Sequence, residues 1–187
     1  MPKREIDRIR TIELGQPELL VLKNSEDEDQ YDCVLSVPPG RCPRCGRSLL
    51  RNQGNQSRTY LDIVRRYDNA AVVTLAVEFR KSKCLFPDCG CVFYPDISFA
   101  SRYSRTTHRL ENVILRMILE EGYSYSLIAY ALDDKLSKQV IGQIYYRRMK
   151  ELQSDPNQQP QWFREYLESD SNPFLRHFRY IPRRRLD

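Results

Sequence analysis

Long apolar runs are missing from this chain of 187 residues. No stretch approaches the ~18 consecutive apolar residues of a membrane span, and the mean hydropathy is −0.63. A membrane-embedded protein is therefore not expected. A greasy leader is missing as well, because Met1-Pro2-Lys3-Arg4-Glu5 is followed by acidic residues rather than an apolar core, which points away from secretion. Histidine is scarce: His108 and His177 are the only two, so a His-ligated metal or His-driven catalysis has little to draw on. No internal repeat recurs at the periods of solenoids or propellers. The length fits one domain, or two small ones at ~100–200 residues each, and excludes a large two-domain enzyme.

The charge that is present is segregated. The net +5 divides into −4 over residues 1–40, +8 over 41–110, zero over 111–152 and +1 over 153–187. The middle segment carries 13 basic against 5 acidic side chains and holds five of the six cysteines. Such a basic concentration attracts polyanions, since each neutralised phosphate releases condensed counterions. A solvated Arg-rich surface is the plainer reading of the same numbers.

Six cysteines without a leader suggest a reducing compartment, where thiols serve metals or redox chemistry. Cys42-x-x-Cys45 and Cys84-x4-Cys89 each carry a glycine behind the second cysteine, Gly46 and Gly90, and the residues between them read as strands. Four thiolates from two knuckles suit a tetrahedral structural zinc, which would leave no open position for water. A redox pair at Cys42 and Cys45 would want a βαβ context, and β follows instead. Unligated buried thiols are the other alternative. Cys91 could replace Cys89, and Cys33 reads as a small core residue in an apolar strand.

Residues 18–23 and 31–37 read as a hairpin, broken by Pro38-Pro39-Gly40. Tyr60 to Val64 and Ala71 to Phe79 read as two further strands with a turn at Asp68-Asn69. From Thr106 the period becomes helical: Leu110, Val113, Ile114, Met117 and Ile118 form one stripe, and Gly122 suits the position after its end. A second helix is predicted over about 125–132. A third, capped by Ser137, runs to about Leu152, with Val140, Ile141, Ile144 and Met149 inward. Its other side presents Lys138, Gln139, Gln143, Tyr146, Arg147 and Lys150, residue types that reach base edges and phosphates. A three-helix bundle with a solvated polar face has the same pattern. One more short helix is predicted from Trp162 to Glu168, and the tail ends in Arg183, Arg184 and Arg185, suited to phosphate contact.

The order of these parts resembles the N-terminal region of bacterial insertion-sequence transposases of the ISL-three family. The resemblance rests on Cys42-x-x-Cys45-Gly46, Arg65-Arg66, Arg80-Lys81-Ser82-Lys83-Cys84, Cys89 and Thr106-Thr107-His108-Arg109-Leu110, within about residues 18–152. It implies Cys42, Cys45, Cys84 and Cys89 as zinc ligands, with recognition of terminal inverted repeats by a helix-turn-helix. Cys91 has no counterpart there. The family's RNase-H-like catalytic domain is not expected in the 35 residues after Leu152.

The expected fold is α+β: a small β zinc ribbon with an N-terminal hairpin over 1–103, a three-helix helix-turn-helix unit over 104–152, and a linker, short helix and basic tail over 153–187. The expected function is a non-catalytic, zinc-stabilised DNA-binding protein of the cytoplasm, associated with the nucleoid. Its partners would be double-stranded DNA, together with a transposase or a second copy of the chain. A protein–protein adaptor of a transposition or transcription complex is the alternative.

Overall fold

The computed structural model describes residues 5–23, 28–36, 40–66, 69–101, 103–155, 157 and 159–168. The chain divides into two compact units, Met1–Leu110 and Glu111–Asp187. Its elements are α1 (Arg8–Leu14), β1 (Leu19–Val21), β2 (Gln30–Leu35), β3 (Leu50–Arg66), β4 (Asn69–Cys84), β5 (Val92–Phe93), α2 (His108–Leu119), α3 (Tyr125–Ala131), α4 (Lys138–Ser154) and α5 (Gln161–Glu168).

The first unit is built on one mixed sheet of order β1-β2-β4-β3, with β5 added to β4. β1 and β2 form the expected antiparallel pair, with Leu19 opposite Leu35 and Val21 opposite Cys33. β2 then runs parallel to β4, from Gln30 opposite Thr74 to Val34 opposite Glu78. β3 and β4 form a long antiparallel hairpin, broken in register between Asn52 and Asn55. Val73, Leu75, Val77 and Phe79 alternate on one face of β4 and are buried with Tyr31, Cys33, Tyr60, Leu14 and Phe99. That period of two is what a strand with one covered face requires.

The helix α1 begins at Asp7, whose carboxylate accepts from the Arg10 backbone N–H, and ends at Gly15 in the left-handed region. Thr11 Oγ1 accepts from the Val21 backbone N–H at 3.0 Å, pinning α1 to β1. Past the end of α1, Asp62 on β3 is fully buried. It accepts from Arg109, Thr107 and Gln16, so one carboxylate joins β3 to two other segments.

In the second unit, the Tyr123 backbone N–H closes the end of α2 by donating to Met117 O at 2.9 Å, with Gly122 at φ 70°. This is the Schellman arrangement that a glycine after a helix provides. Ser124 caps α3 and Ser137 caps α4, each accepting from a backbone N–H three residues on. Ile128 of α3 is buried, as are Ile141, Ile144, Tyr145, Met149 and Leu152 of α4. Gly142 is buried beneath Tyr125, where a Cβ would stand 3.2 Å from the ring. Phe163 of α5 is fully buried.

The expected fold class is corrected. The chain is a mixed α/β protein, with a five-stranded sheet dominated by two long strands and five helices among the described residues, not a small zinc ribbon followed by a three-helix helix-turn-helix unit. The strands over 60–64 and 71–79 are parts, near the turn that joins them, of elements of 17 and 16 residues. The polar run from Arg51 to Ser57 has weak strand propensity, yet it is held extended by pairing with β4. The N-terminal hairpin is not a separate piece, because β2 joins the same sheet. A parallel partner far away in sequence leaves no local signal.

Candidate metal centre

Two knuckles meet at the open end of the β3–β4 hairpin. β4 ends at Cys84, which lies opposite Leu50, the first residue of β3. Cys42 and Cys45 immediately precede β3, so the hairpin brings its two flanks together. In the first knuckle the Cys42 N–H donates to Arg47 O at 2.8 Å and the Gly46 N–H donates to Cys42 O at 2.8 Å. In the second, the Cys89 and Gly90 N–H groups donate to Phe86 O at 3.0 and 3.1 Å, and the Cys84 N–H donates to Cys91 O at 2.8 Å. Gly46 at φ 71° and Gly90 at φ 56° take the left-handed turns that side chains resist.

This geometry gathers four thiols. The Sγ atoms of Cys42, Cys45, Cys84 and Cys89 all lie within 4.8 Å of one another, so the four side chains could hold a metal ion. Cys42 Sγ is 3.7 Å from Cys89 Sγ, and Cys45 Sγ is 3.6 Å from Cys84 Sγ. Cys91 is not in the cluster, and its thiol turns toward Val92 O at 3.9 Å. Cys33 is buried in the sheet core, where burial pushes its thiol up to about 12.

Electrostatics inside the cluster are uneven. Burial pushes the Cys42 thiol up, but backbone N–H groups of Cys45 and Arg44, with the thiols of Cys89 and Cys45, bring it down to about 7. The Cys91 N–H favours a Cys89 thiolate, but burial and the Cys45, Cys42 and Cys84 thiols outweigh it and push Cys89 up to about 12. The N–H of Phe86 likewise favours a thiolate at Cys84, and burial with Cys45 raises that thiol on balance. Crowded thiols resist a second and third negative charge unless a cation shares the site. The N–H groups aimed at sulfur are the means by which a backbone supports thiolate ligands.

Arg47 was not singled out by sequence, although it directly follows Cys45-Gly46. Its Nη1 lies 3.1 Å from Asp88, and its guanidinium sits 4.3 Å from the Phe86 ring centroid. It clamps the first knuckle to the second.

The residues expected to face DNA fall into three groups. Lys138, Gln139, Gln143, Tyr146 and Lys150 are exposed on α4. Arg147 is half-buried, with Nη2 2.5 Å from Glu111 and Nη1 3.2 Å from Glu151. Arg183, Arg184 and Arg185 lie outside the described residues. The α4 stripe is turned from its expected setting: Val140 is exposed, while Tyr145 and Arg148 are buried.

Fold and site together define a mixed α/β protein with a closed four-thiol cluster at the base of a long β-hairpin. No family model, curated protein or solved structure matches the chain. No helix among the described residues is long and apolar enough to cross a membrane.

Proposed function

We propose that the chain is a non-catalytic DNA-binding protein stabilised by one zinc ion, and that it meets duplex DNA through the exposed face of α4. The observation that carries this reading is the composition of that face. Lys138, Gln139, Gln143, Tyr146 and Lys150 are exposed, while Glu151, the only carboxylate on α4, is engaged by Arg147 and Arg148. Gln pairs bidentately with adenine, and Lys reaches guanine or phosphate. Arg147 is better read as a strut than as a contact, since its guanidinium is already shared between two carboxylates.

Zinc is favoured by the donor set. Zn–S bonds of ~2.3 Å in a tetrahedron place sulfurs ~3.8 Å apart, close to the 3.7 Å between Cys42 and Cys89 and the 3.6 Å between Cys45 and Cys84. Four thiolates close the coordination sphere, so the ion would shape the protein and perform no chemistry. The resemblance to ISL-three transposases points the same way, with terminal inverted repeats as the class of site. A cytoplasmic, nucleoid-associated protein follows from that reading.

The test is fluorescence anisotropy of zinc-loaded protein with duplexes recovered by selection from random sequence. Affinity should fall steeply with salt, and Lys150→Ala should weaken binding and flatten the slope by about one counterion. A zinc-free purified protein, or one that binds no duplex at low salt, sinks the reading.

The adaptor reading is kept because of α1. Ile9 and Ile12 are 74% and 80% exposed there, an apolar pair suited to a protein partner. Association through that surface would be insensitive to salt and lost in Ile9→Asp.

A further inference from the structure

A cavity of ≈ 560 Å³ opens in the first unit beside the first knuckle, between Pro43, Arg58, Phe79, Tyr94 and Tyr103. Its volume falls within the usual ~300–1,000 Å³ of small-ligand pockets. Three features distinguish it from a packing gap.

The first is Arg58. Its guanidinium lies 5.6 Å from the Phe79 ring centroid and 5.4 Å from that of Tyr94. Among the described residues it makes no ion pair, although it is half-buried. A guanidinium held over two aromatic rings and without an ion-pair partner among the described residues is set up to meet a π-face and to receive an anion.

The second is Tyr103, at the rim. It is 83% exposed and sits at φ 68°. The left-handed region is unfavourable for a bulky side chain, and such residues gather at binding sites.

The third is a basic row leading away from the cavity. Along β4, Phe79, Lys81 and Lys83 alternate onto one face. Arg58 lies opposite Val77 and Arg51 opposite Lys83, so both share it. Glu78, the acid of this stretch, points to the other face and accepts from Asn55. At the rim, Asp96 supplies the one carboxylate among the lining residues.

We propose that this cavity takes an unstacked base of a single-stranded nucleic acid, with the strand's phosphates along Lys81, Lys83 and Arg51. The base stacks against Tyr94, Arg58 and Tyr103, and Asp96 accepts from an exocyclic amine where the base has one. A small aromatic acid would use the cavity alone, whereas the basic row calls for a polyanion. Aromatic platforms in basic grooves hold single strands with little regard to sequence, because every base has a π-face. No residue of α4 takes part, so this site stands or falls separately from the duplex reading.

The experiment titrates fluorescein-labelled dT12 and U12 against the full zinc-loaded chain at low salt, following anisotropy. Tyr103→Ala, Tyr94→Leu and Arg58→Gln should each weaken binding by about 5- to 150-fold, the range of lost base–aromatic stacking. Tyr94→Phe, which keeps the ring, should bind like the parent, and Arg58→Lys should fall between the parent and Arg58→Gln. Comparing dT12 with U12 assigns the sugar. If Tyr94→Leu fails to fold, as its thermal melt would reveal, Tyr103→Ala decides alone, since that ring is on the surface. Failure to bind either oligonucleotide overturns the proposal, as does unchanged binding by Tyr103→Ala. Lys150→Ala should leave both oligonucleotide affinities intact. A chain that binds dT12 or U12 but no duplex retires the α4 reading and keeps this one.

Discussion

Asp62 and Arg109 form a two-pronged pair, with Nη2 2.6 Å from Oδ2 and Nε 3.1 Å from Oδ1. The carboxylate is fully buried, and the guanidinium also donates to Leu14 O at 2.6 Å, the last carbonyl of α1. Bidentate pairing fixes both planes and is stronger than a single charged contact. The pair ties β3, α1 and residues 107–109 into one unit.

Removing one partner leaves the other charge stranded. Asp62→Ala is expected to destabilise the first unit by about 3 kcal/mol or more, the cost of breaking a buried pair. Urea unfolding followed by circular dichroism measures it. A shift of the midpoint no larger than that of an exposed control such as Glu13→Ala would count against the hub role.

Metal removal should act on the knuckles. Cys42→Ser or Cys84→Ser is expected to reduce bound zinc from one per chain to none, whereas Cys91→Ser retains it; elemental analysis reads this directly. Thiolate ligands must lose protons to bind. Zinc should therefore be held at neutral and alkaline pH and released as pH falls. Limited proteolysis between residues 40 and 49 should accelerate on release.

Thiol reactivity gives an independent readout. In the zinc-loaded protein, iodoacetamide at pH 8 is expected to modify Cys91 alone. After chelation it should reach Cys42 early, since that thiol is brought down to about 7, and should spare Cys33, which is buried in the sheet core with its thiol pushed up to about 12. Intact-mass spectrometry counts the adducts.

Arg147 and Lys150 should separate stability from binding. Arg147→Ala is expected to lower the thermal midpoint of the second unit, through the lost contacts to Glu111 and Glu151, more than it lowers duplex affinity. Lys150→Ala should do the reverse.

Gly142→Ala introduces a Cβ 3.2 Å from Tyr125 Cε2. Crowding should outweigh the ~1 kcal/mol that alanine gains over glycine inside a helix, so the substitution destabilises. In a Tyr125→Ala background the same change should stabilise. A double-mutant cycle by thermal unfolding tests the sign reversal.

The parts legible from sequence were those with local causes. Cys42, Cys45, Cys84 and Cys89 stand in two short loops whose glycines announce tight turns, and Ser137 and Gly122 mark helix ends by capping chemistry alone. The helix α1 left no stripe to read, because among its seven residues Leu14 is the only buried one. The polar half of β3, Arg51 to Ser57, is a strand by virtue of its partner rather than its composition. Arg147 looked like a contact residue because the pattern of α4 cannot reveal that Glu111, on another helix, lies within reach. The Arg58 cavity could not be read either, since it needs Pro43, Phe79, Tyr94 and Tyr103 from separate segments.

The parallel pairing of β2 with β4 dictates an order of assembly. Each partner pair, from Gln30 with Thr74 to Val34 with Glu78, is separated by 44 positions. β3 and β4 are sequence neighbours and can zip from their turn at little entropic cost, while β2 must find a strand that already exists. The intervening segment contains the first knuckle and β3, and the second knuckle follows at the end of β4. A metal drawn into the finished hairpin's open end therefore shortens the slack between Leu35 and β4. The slowest search left to the first unit becomes the docking of one short hairpin onto a stapled edge.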